Sequence, residues 1–305
     1  MKVSGKLKGV LLAFVSVIAV SNVYIFSKAA LMEVSLPQFG VYWFAFGLTW
    51  IFLYGCTQKT YRSITQFARR NLGILVLLGI IEVIGTYFFF KAIHTISNPA
   101  ITSFIGNISP VFIIILGFFF LKERFNFREI TGMTLAVIGA FVISYKGNSA
   151  ISDMFIDGTQ YVLYSSAFMG VSALIIKKNI QNINPIILTT NRSLFLLIFS
   201  IMGLVYSDES LIIGSKPLLN IFIGASLGPF LTVIAGYLAL QYIPLSQKAI
   251  INSTKGLFVL FGAYLYFGQF PETIAIIGGL ITILGLLLIA FGKSKLPKVK
   301  KFPEV

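Results

Sequence analysis

The chain has 305 residues, of which 57% are hydrophobic and 11% charged, with a mean hydropathy of +0.90 and a formal net charge of +14. Soluble domains carry roughly 25% charged residues, so this chain has too little charge to wet a globular surface and reads as an all-α integral membrane protein. One cysteine, Cys56, excludes an internal disulfide and any multi-cysteine metal site, and one histidine, His94, argues against a zinc cluster. The basic residues sit in short segments between apolar runs rather than on one soluble face, which argues against nucleic acid as a partner.

Apolar runs recur at 9–27, 37–55, 72–92, 99–121, 128–145, 158–176, 185–206, 217–240, 245–267 and 272–292. Each is close to the roughly 20 residues that carry a helix across a hydrocarbon core of about 30 Å, so ten transmembrane helices are expected. Alternating patterning of the kind that builds a barrel is absent. The shortest breaks are Tyr242-Ile243-Pro244 and Gly268-Gln269-Phe270-Pro271. The first run imitates a signal peptide, with Lys2, Lys6 and Lys8 before Leu11–Val20, but the repeat described below needs it as a helix.

Charge fixes an orientation. With ten spans and the N-terminus inside, 17 of the 24 Lys and Arg fall on the inner side, among them Lys59, Arg62, Arg69, Arg70, Lys122, Arg124, Arg128, Lys177 and Lys178. Only Lys28, Lys91, Lys146 and Lys216 fall outside, and Arg192, Lys248 and Lys255 lie within spans. This positive-inside bias predicts an inner-membrane, multi-pass protein with both termini in the cytoplasm. Residues 293–305 form a basic cytoplasmic tail.

The two halves repeat. Glu123, Gly132 and Gly139 have counterparts at Gln269, Gly278 and Gly285, a constant offset of 146, and Pro37 and Pro185 each open the second helix of their unit. The expected units are 8–146 and 157–292, each with five helices. Five is odd, so the second copy enters the membrane the opposite way round, giving two inverted five-helix repeats with a site between them.

The stretch Ala92-Ile93-His94-Thr95-Ile96-Ser97-Asn98-Pro99-Ala100, then Ile108-Ser109-Pro110-Val111, then Phe120-Leu121-Lys122-Glu123-Arg124, then Gly132 and Gly139, resembles the end of an EamA repeat. Two such repeats make a transporter of the drug/metabolite transporter superfamily, and the resemblance covers about residues 8–292. It implies that the third, fourth, eighth and ninth helices line the substrate cavity. The second copy departs from the pattern, with Gly256 where the first has Pro110 and Lys255 where an acidic residue is usual. The position of Lys255 also resembles the basic site of phosphate-carrying relatives such as triose-phosphate translocators.

An ionisable side chain in hydrocarbon costs roughly 2.5–3.5 kcal/mol on insertion scales, so each one needs a reason. Glu82, Arg192, Lys248 and Lys255 stand out. Lys248 and Lys255 are seven apart and share a helix face with Asn252, beside Gln247, and this makes a cationic stripe on the ninth span. The fourth span answers with the uncharged Thr102, Ser103 and Asn107. The functional reading is an aqueous cavity in which Lys255 and Lys248 attract a carboxylate or phosphate. Glu82, facing Lys255, would bind an amine or a coupling proton, and Tyr87 and Tyr237 would add aromatic lining. The alternative is that Glu82 and Lys255 only neutralise each other, and that Arg192 only reaches back to the cytoplasmic surface. His94 reads as an interfacial residue near a helix end. Gly132, Gly139, Gly278, Gly279 and Gly285 read as close-packing positions on the fifth and tenth helices, which could also support a homodimer.

No Gly-x-x-x-x-Gly-Lys-Ser/Thr loop and no Ser/His or paired-carboxylate constellation occurs, so neither ATP hydrolysis nor another enzymatic activity is expected, and no cofactor. The expectation is a secondary transporter, by family habit an exporter, of a small metabolite such as an amino acid or organic anion. A phosphorylated or dianionic solute is favoured instead if both lysines line the cavity, and a membrane sensor or scaffold is the reading from another class. The expected partners are a small-molecule substrate, the lipid bilayer and a coupling proton or ion.

Overall fold

The computed structural model describes residues 5–60, 69–121, 126–145, 155–244, 248, 251–252 and 254–292, and these are helical almost throughout. Helices α1 (Gly5–Leu31), α2 (Leu36–Thr57) and α3 (Arg69–Thr95) are followed by α4 (Pro99–Ile105), a 3₁₀ turn at Gly106–Ile108 and α5 (Ser109–Leu121). Then come α6 (Phe127–Ser144), α7 (Thr159–Asn179), α8 (Pro185–Tyr206) and α9 (Ser215–Ala225). A π-helical turn at Ser226–Thr232 leads into α10 (Val233–Tyr242), and α11 (Lys255–Phe267) and α12 (Thr273–Gly292) complete the series. Among the described residues, six helical stretches are long and apolar enough to cross a membrane, and shorter apolar helices accompany them. Large apolar side chains such as Phe119, Phe261, Leu265 and Val205 are exposed, as a surface solvated by lipid requires.

Local chemistry sets the helix starts. Ser35 caps α2 in a reciprocal capping box with Gln38, with Pro37 in the first turn. Asn98 and Asn184 each precede a proline and accept the backbone N–H two residues on, from Ala100 at 2.9 Å and Ile186 at 2.8 Å. Both short breaks noted in the sequence occur: α10 ends at Tyr242 with Ile243 extended, and α11 ends at Gly268 in the left-handed region, φ 64°. Pro229 lies inside the α9–α10 helix, where its missing N–H and ring disturb the regular ladder and the turn widens. Nearby carbonyls are taken up by side chains, Thr232 Oγ1 donating to Leu227 O and Ser16 Oγ to Thr232 O, both at 2.8 Å.

Two kinds of contact occur in reciprocal pairs. The first is at α6 and α12, whose backbones meet through glycines. A methyl built at Gly139 would lie 2.6 Å from Gly278 O, and one at Gly285 would lie 2.5 Å from Gly132 O. These distances leave no room for any Cβ. Because Gly132 faces Gly285 while Gly139 faces Gly278, the two helices run antiparallel. The glycines read as a candidate dimer face are therefore occupied within one chain.

The second pair is electrostatic. Lys28 of α1 is 8% exposed and its Nζ donates to Ile93 O (3.0 Å), His94 O (3.0 Å) and Ile96 O (2.8 Å) at the end of α3. Lys177 of α7 donates to Leu240 O (2.7 Å) and Ile243 O (3.2 Å) at the end of α10. Each lysine thus takes up carbonyls that a helix C-terminus leaves without partners, at the end where the macrodipole favours a cation.

Candidate functional site

The helices line a cavity of about 300 Å³. One wall is aromatic, formed by Tyr24, Trp43, Phe44, Phe89 and Phe90 from α1, α2 and α3. Much of the rest of the lining is polar. There Glu82 and Thr86 of α3, Ser165, Ser166 and Ser172 of α7, Arg192 of α8 and Tyr237 of α10 meet Lys248, Asn252 and Lys255. Helices α1, α2, α7 and α8 therefore contribute to the lining beyond the third, fourth, eighth and ninth apolar runs that the resemblance implied.

Of the residues singled out in the sequence, Lys255, Lys248, Asn252, Glu82, Arg192 and Tyr237 all line this cavity. Two do not. Tyr87 faces a smaller apolar pocket of about 110 Å³ with Phe199, and its ring lies 5.6 Å from Lys91 Nζ. Asn107 is fully buried on the other flank of the α4–α5 helix, against Gly256. Gln247, Glu123 and the 293–305 tail lie outside the described residues. His94 is exposed at the end of α3, with its carbonyl taken by Lys28.

The pairing of the intramembrane charges differs from the sequence expectation. Glu82 pairs with Arg192, not Lys255: Arg192 Nη1 donates to Glu82 Oε1 at 3.1 Å. Tyr237 OH donates to the same oxygen at 2.8 Å and Ser172 Oγ at 2.9 Å. Arg192 Nη2 donates to Thr86 Oγ1 at 2.8 Å. Arg192 thus turns inward to a carboxylate that is 3% exposed rather than back to the surface, and the network ties α3 to α7, α8 and α10. Such convergence of donors is what a buried carboxylate requires. Ser172 and Thr86 were missed in the sequence, where one small polar residue in an apolar span gives no hint of its distant partner.

With Glu82 and Arg192 neutralising each other, the cavity's remaining charge is that of Lys248 and Lys255. Lys248 Nζ stands 5.9 Å from the Tyr237 ring centroid, a cation–π distance, and against Gly236. Lys255 is 5% exposed, and its Nζ lies beside Gly106, 3.9 Å from where a methyl on that glycine would sit. Neither ammonium has a hydrogen-bond acceptor among the described residues. The site is therefore a small cationic chamber with one aromatic wall, chemistry suited to holding an anion. Among the described residues no group of three or more His, Cys, Asp or Glu side chains could hold a metal ion.

The EamA-like transporter family model matches residues 7–145 and 158–291. An uncharacterized transporter of Haemophilus influenzae is 27% identical over 230 residues, covering 72% of this chain and 75% of its own. An uncharacterized transporter of Synechocystis is 24% identical over 252 residues, covering 78% of this chain and 71% of its own. A WAT1-related protein of Arabidopsis thaliana is 23% identical over 278 residues, covering 77% and 76%. A solved crystal structure superposes with a TM-score of 0.69 at 12% identity, over 92% of this chain and 98% of that one, a likeness of fold alone. With both halves of the chain matched by the same model, this multi-pass membrane protein belongs to the EamA-like transporter family of the drug/metabolite transporter superfamily.

Proposed function

We propose that the chain is a secondary transporter that moves a small organic anion across the cell membrane by alternating access. The observation that carries this reading is the pair Lys248 and Lys255, which line the cavity with no acceptor among the described residues while the one intramembrane acid is taken by Arg192. A zwitterionic amino acid would need an acid not already paired with a cation for its amine, and the charge of Glu82 is met by Arg192 through Oε1. Two unneutralised cations instead favour a carboxylate or phosphate, including a dianion. A volume of about 300 Å³ stands at the small end of the roughly 300–1,000 Å³ range of small-molecule sites, so the cargo is a small metabolite.

The architecture we propose is ten transmembrane helices in two inverted five-helix repeats, residues 8–146 and 157–292. The 146-residue offset supports it, as do the reciprocal contacts Gly139–Gly278 and Gly285–Gly132. A two-fold axis that exchanges antiparallel helices lies perpendicular to them, hence in the membrane plane, and that relation inverts one repeat against the other. The charge bias supports both termini in the cytoplasm of an inner-membrane protein. Export, the commoner role in the family, is the direction we propose.

The test is flux. Purified protein in liposomes should take up labelled small carboxylates or phosphorylated solutes, and Lys255→Met should abolish uptake. Equal flux in wild type and variant removes Lys255 from the site, and no flux for any anion in a broad screen overturns transport. Dependence on an imposed pH gradient reports proton coupling.

A further inference from the structure

Hydroxyls on transmembrane helices normally satisfy themselves by donating to the carbonyl one turn earlier. This chain follows the rule at Ser21, Ser144, Thr189, Ser200 and Thr282, which donate to the carbonyls of Val17, Ala140, Pro185, Leu196 and Gly278 at 2.7–2.8 Å. Thr102 breaks it. It is 1% exposed, its Oγ1 has no hydrogen-bond partner, and it lines the cavity. The carbonyl it would use, Asn98 O, already accepts from the backbone N–H groups of Ile101 at 3.1 Å and Thr102 at 3.5 Å. A buried hydroxyl left without a partner costs roughly 1–3 kcal/mol, so the position is one where a partner belongs.

Thr102, Gly106 and Ser109 are spaced by four and three residues and so share one face of the α4–α5 helix, and all three line the cavity. Ser109 Oγ, too, has no partner among the described residues. Lys255 Nζ lies beside this face at Gly106, 3.9 Å from where a methyl on that glycine would sit. An ammonium is donor-only and both hydroxyls have a free hydrogen, so this face and Lys255 bring three donors to the same cavity.

We propose that Thr102, Ser109 and Lys255 form a seat for one oxyanion, a carboxylate or phosphate group, in which the ammonium supplies charge and each hydroxyl a directed hydrogen bond. The proposal rests on the anion-transport reading and deepens it by naming the residues that grip the charged group. Lys248 then stands apart, beside Tyr237, free to meet a second negative charge of the same solute.

The test measures binding apart from flux. Purified full-length protein in detergent micelles is melted with increasing sodium phosphate or sodium propionate at ionic strength held constant with sodium chloride. A ligand held by the folded state raises the unfolding temperature in a saturable way. The larger shift, by phosphate or by propionate, identifies which headgroup the seat fits. Thr102→Val and Ser109→Ala should each weaken apparent affinity about tenfold, the loss of one charge-assisted hydrogen bond. Thr102→Ser should restore binding. Without added anion, Thr102→Val should melt no lower than wild type, because it removes an unsatisfied buried hydroxyl; a structural threonine would melt lower. No saturable shift with either anion, or unchanged affinity in both variants, overturns the seat. Anion flux with unchanged half-saturation in Thr102→Val and Ser109→Ala would sink the seat and leave transport standing. Saturable binding without flux would do the reverse.

Discussion

The Glu82–Arg192 pair offers the sharpest test of the packing. Glu82→Gln keeps an oxygen for Tyr237 and Ser172 to reach but removes the charge that Arg192 faces. The guanidinium side chain, 14% exposed, is then left with a hydrogen bond to Thr86 at 2.8 Å and a contact with Met169 Sδ at 3.9 Å. Breaking a buried pair by removing one partner costs about 3–5 kcal/mol, and the poor substitutes left to Arg192 place Glu82→Gln toward the upper end. Arg192→Met strands a carboxylate that still accepts from Tyr237 at 2.8 Å and Ser172 at 2.9 Å, so it falls toward the lower end, about 3 kcal/mol. The double variant strands neither charge. Its loss should be smaller than the sum of the two by about 2–3 kcal/mol, the coupling of residues that share one network. Denaturant unfolding in micelles of the four proteins completes the cycle. If the single losses add in the double variant, the two side chains do not interact in the folded protein and the network described here is wrong.

Lys28→Met removes the donor from three carbonyls and should lower stability by about 2–3 kcal/mol; Lys177→Met, which serves two, should lower it by about 1.5 kcal/mol, both read as unfolding midpoints. Equal and negligible shifts would mean that water or lipid headgroups cap those helix ends instead. Gly139→Ala forces a methyl against the backbone of α12 and should cost about 1–3 kcal/mol. Gly268→Asn, at a left-handed position with open space around it, should be within about 0.5 kcal/mol of wild type, and a larger drop there would refute the assigned turn.

The helices were legible because burial in lipid demands long apolar runs, and the glycine pairs because a close backbone approach permits only one residue type. Arg192 was legible as a residue needing a reason, but its partner was not. Glu82 lies 110 positions away, and no local pattern tells a cation that turns inward from one that snorkels. The same limit explains Asn107. Thr102 and Ser103 begin adjacent stripes of one helix, and polarity alone does not choose between the Thr102–Gly106–Ser109 face, which meets the cavity, and the Ser103–Asn107 face, which packs inside. The cavity serines of α7 were invisible for a related reason, since small hydroxyls are tolerated anywhere in a span once they bond their own backbone.

Frame and chemistry divide differently between the halves. The contacts that hold the frame come in matched pairs, glycine against glycine and lysine against helix end. The cavity does not. At the same offset of 146, Thr102 corresponds to Lys248 and Ser109 to Lys255, so one half presents hydroxyls where the other presents ammonium groups. Charge on both copies would crowd four cations into about 300 Å³, and two unit charges at about 8 Å repel by about 2 kcal/mol at an effective dielectric of about 20. Hydroxyls on both copies would leave no field to draw an anion out of water. Placing the cations on one half and neutral donors on the other keeps attraction and removes most of the repulsion. On the proposed mechanism, an anion so held is bound electrostatically to the second half and only by directed hydrogen bonds to the first, so rocking of the halves stretches the hydroxyl contacts before the ionic one. The Thr102 and Ser109 variants should then alter half-saturation more than maximal flux, while loss of Lys255 removes both.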